Sequence, residues 1–80
     1  MSDKISLVGP QCVAGRGLIG WSRQQLSEAS GVSMATLADF EGGKRRPYDR
    51  TLKDIQAALE SAGVEFIPEN GGGPGVRLRK

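Results

Sequence analysis

Residues 26–47 read LSEASGVSMATLADFEGGKRRP. Two short amphipathic runs flank Gly31-Val32-Ser33, and a basic loop follows the second run. A turn this short joins two steeply crossed helices only if three demands are met. The chain must bend sharply, and Gly31 can take the positive φ that ends a helix. The helices must approach closely, and Ser27 is small. Apolar side chains must hold the pair together, and Leu26, Val32, Leu37 and Phe40 are available. These residues stand at the spacing of a helix-turn-helix.

The same reading extends outward. Ser22-Arg23-Gln24-Gln25 has the form of a capping box, so a second helix starts at Ser22 and stops at Gly31. Ser33 caps a third helix over about residues 33–42, with Leu37 and Phe40 sharing a face and Gly42-Gly43 ending it. Leu52, Ile55, Leu59 and Ala62 recur at helical spacing, which predicts a fourth helix from about residue 50 to residue 62. Upstream, Pro10 suits a first helical turn. PQCVAGRGLIG is then a first helix, weakened by Gly15 and Gly17 at roughly 1 kcal/mol each and ended by Gly20. After Gly63, VEFI and VRLR flank a Gly-rich PENGGGPG stretch and read as a β-hairpin. Val64 and Phe66 would share one face; Val76 and Leu78 would share another, opposite Arg77 and Arg79. The expected fold class is mainly α: a small bundle of four to five helices with a C-terminal β-hairpin or dimerising strands. Residues 1–9 form an N-terminal arm in which ISLV has the composition of a brief strand. Residues 10–63 form the helical domain, and residues 64–80 the hairpin segment.

Composition narrows the function. At 80 residues the chain is one domain near the lower limit for a self-sufficient core, which makes burial through dimerisation attractive. Net charge is only +2, so its distribution matters more: Lys44, Arg45, Arg46 and Arg50 form one basic cluster, and Arg77, Arg79 and Lys80 another. One cysteine and no histidine allow neither an internal disulfide nor a zinc site, and no metal or cofactor is expected. The chain offers no nucleophile–base pair and no convergent acidic cluster, so an enzyme is not expected. No apolar run approaches the ~20 residues of a membrane span, and the expectation is a soluble, cytoplasmic protein. Residues 15–20, GRGLIG, match G-x-G-x-x-G, with Asp39 about 20 residues on as in a dinucleotide site. They open no helix behind a strand, and the chain is too short for a βαβ unit. The Gly-rich stretch ENGGGPG lacks the G-K-[ST] of a phosphate loop and reads as a turn.

GWSRQQLSEASGVSMATLADFEGGKRRP, with TLKDIQAAL after it, resembles the Cro/phage-repressor (XRE-type) helix-turn-helix family. The likeness covers roughly residues 11–62. It rests on small Ser27, on GVS in the turn, on E-G-G-K ending the third helix and on P…TL opening the fourth. The family's fifth element is replaced here by the hairpin. The resemblance implies that the third helix enters the DNA major groove, with base edges met by Met34, Ala35, Thr36 and Asp39. Met34 and Ala35 offer apolar contact, for instance to a thymine methyl, and Asp39 can accept from a cytosine amino group. Ser22, Arg23, Gln24, Ser33, Lys44, Arg45 and Arg46 fall where phosphates are held. Arg16 and Glu41 match a pair that ties the first and third helices together and would set Arg16 near a phosphate.

These readings compete with plainer ones. Residues 22–41 could be an ordinary αα-corner, Lys44–Arg46 a solvated loop, and Met34 and Ala35 core residues. Since Leu37 and Phe40 already define the buried face, an exposed Met34 is better explained by a groove. Cys12 reads as a small buried hydrophobe, and Trp21 as an anchor over the first and fourth helices. The hairpin segment has three readings: a self-contained hairpin, strands that pair with a second protomer through Val64, Phe66, Ile67, Val76 and Leu78, or a tail whose Arg77, Arg79 and Lys80 grip DNA. An isolated hairpin is marginal, so strand-mediated homodimerisation is favoured. It would set two recognition helices about 34 Å apart, one turn of DNA. The expected function is sequence-specific binding of double-stranded DNA by a transcriptional regulator, as a homodimer on a pseudo-palindromic operator. The competitors are an antitoxin whose C-terminal segment meets a toxin, and a protein-interaction module without DNA binding.

Overall fold

Four glycine or serine positions punctuate the chain, and the computed structural model places helix ends at each of them. It describes residues 7–69 and 71–79. The elements in order are α1 (Gly9–Ile19), α2 (Arg23–Ser30), α3 (Met34–Glu41), α4 (Asp49–Ser61), β1 (Val64–Ile67) and β2 (Gly75–Leu78). The mainly helical class with a small C-terminal hairpin is therefore the observed one. The expected strand at ISLV and most of the expected arm lie outside the described residues, as does Lys80. Leu7, at the arm's end, is buried and belongs to the core.

Local chemistry explains the boundaries. Ser22 Oγ accepts from Gln25 N at 3.1 Å while Gln25 Oε1 accepts from Ser22 N at 2.8 Å, a reciprocal capping box. Ser33 Oγ accepts from Thr36 N at 3.1 Å and opens α3. Gly20 and Gly31 end α1 and α2 in the left-handed region, at φ 71° and 77°. The helix α1 begins at Gly9, one residue before Pro10. A Cβ at Gly9 would collide with the carbonyl oxygen of Phe40, so only glycine lets α1 start against the end of α3.

Leu26, Leu37, Leu52, Ile55, Leu59, Val64 and Cys12 are fully buried, with Phe40, Val32 and Leu7 around them. The α4 face at Leu52, Ile55 and Leu59 joins this core, and α4 packs against α1, α2 and β1. The two strands pair antiparallel, with Val64 opposite Leu78 and Phe66 opposite Val76. Directly opposed residues share a face, so Val64, Phe66, Val76 and Leu78 form one face rather than two. That face rests on the helices: β1 packs on α4 and β2 on α1. Gln11, buried in α1, donates to the Gly75 carbonyl at 3.0 Å and the Ile67 carbonyl at 3.4 Å, and its Oε1 accepts from Val8 N at 3.0 Å. The hairpin is thus formed and seated within one chain. Trp21 lines a groove with Ala29 and Ser30 of α2 and Ala57, Ala58 and Ser61 of α4, while its backbone N donates to the Arg16 carbonyl of α1 at 2.9 Å.

Candidate nucleic-acid interface

The turn between α2 and α3 leaves few polar groups loose. Gly31 N donates to the Ser27 carbonyl at 2.9 Å, Ser27 Oγ donates to the Val32 carbonyl at 2.6 Å, and Ser30 Oγ accepts from Val32 N at 3.2 Å. Ser27 is therefore more than a small residue: its hydroxyl locks the turn that aims α3. Leu37 and Phe40 face the core. The opposite side of α3 opens with Ser33, Met34 and Ala35, all exposed, Met34 at 46%. Thr36 and Asp39 are half-buried beside them. Thr36 Oγ1 accepts from Ser33 Oγ at 2.9 Å and keeps its own hydroxyl proton to donate.

The end of α3 sets the basic loop. Gly43 adopts φ 79°, Gly43 N donates to the Phe40 carbonyl at 3.2 Å and Lys44 N to the Asp39 carbonyl at 2.8 Å. This paired pattern is a Schellman closure, and it folds the loop back at the helix end. Lys44, Arg45 and Arg46 are exposed there. Arg46 Nη1 also donates to the Leu7 carbonyl at 2.7 Å, so this cation fastens the loop to the segment before α1. Ser22 and Gln24, at the start of α2, are exposed as well.

Between these elements lies Glu41, whose side chain is only 2% exposed. Its Oε2 accepts from Arg16 Nε at 2.8 Å and from Cys12 Sγ at 3.0 Å. Its Oε1 accepts from Arg16 Nη2 at 2.9 Å and from Arg23 Nε at 3.0 Å. Arg16 Nη1 donates to the Trp21 carbonyl at 3.0 Å. All three guanidinium nitrogens of Arg16 are thus committed inside the protein, which leaves it little to offer a phosphate. Burial alone would raise the Glu41 carboxyl, but hydrogen bonds from Arg16, Cys12 and Arg23 overrule it and hold the group below the ordinary carboxylate range. Burial first, then the neighbouring carboxylate, push the Cys12 thiol well above its usual value.

Sequence reasoning placed Arg16 against Glu41 but missed two of the donors to that carboxylate. Cys12 and Arg16 are four residues apart on one face of α1, a spacing that was available to find the first. Nothing in the local sequence marks Arg23 as the second. The residues assigned to dimerisation are dispersed: Val64 is fully buried by its own chain, Phe66, Ile67 and Val76 are half-buried, and Leu78 is 48% exposed. Arg77 pairs with Glu65 across the strands at 3.2 Å. Tyr48, beside the basic loop, is 87% exposed and drew no attention in the sequence. Among the described residues no group of three or more Cys, Asp or Glu side chains could hold a metal, and no helix is long and apolar enough to cross a membrane.

A search of curated proteins gives no match. A helix-turn-helix family model, of Cro/C1 type, matches residues 14–66, from the middle of α1 through the start of the hairpin. With well over half of the chain covered, and with the turn, the caps and the exposed side of α3 in place, the chain belongs to the Cro/C1-type (XRE) helix-turn-helix family of DNA-binding regulators.

Proposed function

We propose that the protein is a sequence-specific transcriptional regulator whose α3 reads bases in the major groove. The observation that carries this reading is the division of α3 into a buried side, Leu37 and Phe40, and an exposed N-terminal side, Met34 and Ala35, flanked by Lys44 and Arg45. Met34 and Ala35 have no hydrogen-bonding side-chain groups, so they favour apolar contact with thymine methyls. Thr36 can donate to an acceptor edge, and Asp39 can accept from cytosine N4. Ser22, Arg23, Gln24, Ser33, Lys44 and Arg45 supply the phosphate contacts that position the helix, with Arg46 holding the loop.

Titration of genomic DNA fragments at two salt concentrations tests this reading. Wild type should bind one fragment well above the rest. The Lys44→Ala/Arg45→Ala variant should lose affinity for every fragment and show a shallower salt dependence. Failure of wild type to bind any fragment at low salt would remove the reading.

The regulator acts as a homodimer on a pseudo-palindromic operator, in the cytoplasm. Leu78, 48% exposed, stands out on the hairpin face that it shares with Val64, Phe66 and Val76, and this exposed apolar side chain supports the dimer reading. Sedimentation equilibrium of wild type and Leu78→Glu checks this: wild type should be dimeric and the variant monomeric with its fold retained.

A further inference from the structure

The Arg16–Glu41–Arg23 cluster has one carboxylate for two guanidiniums. Arg16 is consumed by it, with Nε and Nη2 on Glu41, Nη1 on the Trp21 carbonyl, and a side chain only 15% exposed. Arg23 is not. Only its Nε is engaged, at 3.0 Å from Glu41 Oε1, and its side chain is 40% exposed. Its two Nη groups carry four N–H donors with no partner among the described residues. Glu41 ends α3 and Arg23 begins α2, so one buried side chain links the base-reading helix to an exposed, half-used cation.

We propose that Glu41 is a positioning residue for DNA binding: it grips Arg23 by Nε and presents the two Nη groups as a preset fork for a single DNA phosphate. The inference rests on the DNA-binding reading and adds a division of labour within it. A free surface arginine must give up several rotatable bonds to meet a phosphate, and that ordering weakens binding. Arg23 has met this cost on folding. The fork also fits its ligand, because a guanidinium held at Nε still offers two parallel N–H donors to phosphate oxygens. A lysine in its place has one nitrogen and cannot span Glu41 and a phosphate in this way. The local charge agrees. Two cations and one anion leave the cluster a net positive charge, with no acidic residue in the first turn of α2 to cancel it. A phosphate supplies the missing charge.

The test compares wild type, Arg23→Lys and Arg23→Gln in binding to random-sequence duplex DNA across a salt series. Thermal melting verifies that each variant is folded. Random DNA isolates phosphate contacts from base reading. The fork predicts that Lys and Gln variants lose affinity alike, roughly tenfold. It also predicts that both lose about 0.9 of a unit from the salt slope, one phosphate. A Lys variant that keeps wild-type affinity and slope overturns the proposal, because a plain charge then suffices. A second readout needs no DNA. The Nε proton of Arg23 should exchange with solvent more slowly than that of exposed Arg50 in the free protein, and exchange at the same rate overturns the proposal as well. If wild type binds no DNA even at low salt, it is the underlying reading that fails, and this shows before any variant is compared.

Discussion

Glu41 gathers much of the fold's polar chemistry, since four hydrogen bonds from three side chains converge on its two oxygens. Replacing it with Gln leaves Arg16 buried without its counter-charge. The expected loss is roughly 3 kcal/mol, read as a shift in the urea midpoint. The acid side follows from the same contacts. Because the folded-state carboxyl titrates below its unfolded value, its stabilisation is complete above the ordinary Glu range near ~4.3. It is lost as pH falls through the folded value. Urea melts at neutral pH and at about pH 3.5 should therefore converge for Glu41→Gln more than for wild type. Cys12 gives a second test at this scale. Burial keeps its thiol protonated, so an alkylating reagent should leave the folded protein untouched and modify it fully in denaturant.

Among the elements, α1 is the least regular and the most informative. Gly17 sits in it with open space where a Cβ would go, so Gly17→Ala should stabilise by up to about 1 kcal/mol. Gly9→Ala should do the opposite, because the added Cβ meets the Phe40 carbonyl and must push α1 off α3. Thermal melts of the two variants should move in opposite directions. Much of the helical framework was legible in the sequence because it is written locally. Ser22 with Gln25, Ser33, Gly20 and Gly31 act on their own neighbours, and α4 runs over Asp49–Ser61 against an expected span of about 50–62. What escaped depends on tertiary contact. Gln11 has no periodic signal, yet it pins the hairpin to α1 across 64 residues of chain. Arg23 reads as a solvent-facing cation until α3 brings Glu41 beside it. Alternation put Val64 and Phe66 on one face of a strand, but could not tell whether that face meets this chain or another. Here α1 and α4 cover it, and Gly15 of α1 lies beside Val64 and Leu59.

At the scale of the whole molecule, the hairpin completes a core that four short helices leave open. Val64→Ala should therefore destabilise the chain itself, by roughly 2 kcal/mol, whatever its oligomeric state. The melting transition of the variant should fall by a similar amount at low and high protein concentration. With the core closed on this side, the remaining surface divides by chemistry: the hairpin edge is apolar at Leu78, and the α2–α3 side is cationic and exposes Met34. Under the proposed function, α3 chooses the sequence while the basic loop and Arg23 only hold the backbone. The most direct measurement is the ratio of affinities for the best genomic fragment and a scrambled duplex, for wild type, Thr36→Ala and Arg45→Ala. The claim predicts that Thr36→Ala lowers the ratio while leaving affinity for the scrambled duplex unchanged. It also predicts that Arg45→Ala weakens both duplexes together and preserves the ratio. If Thr36→Ala leaves the ratio untouched, or Arg45→Ala abolishes it, α3 is not the reader and the claim is contradicted.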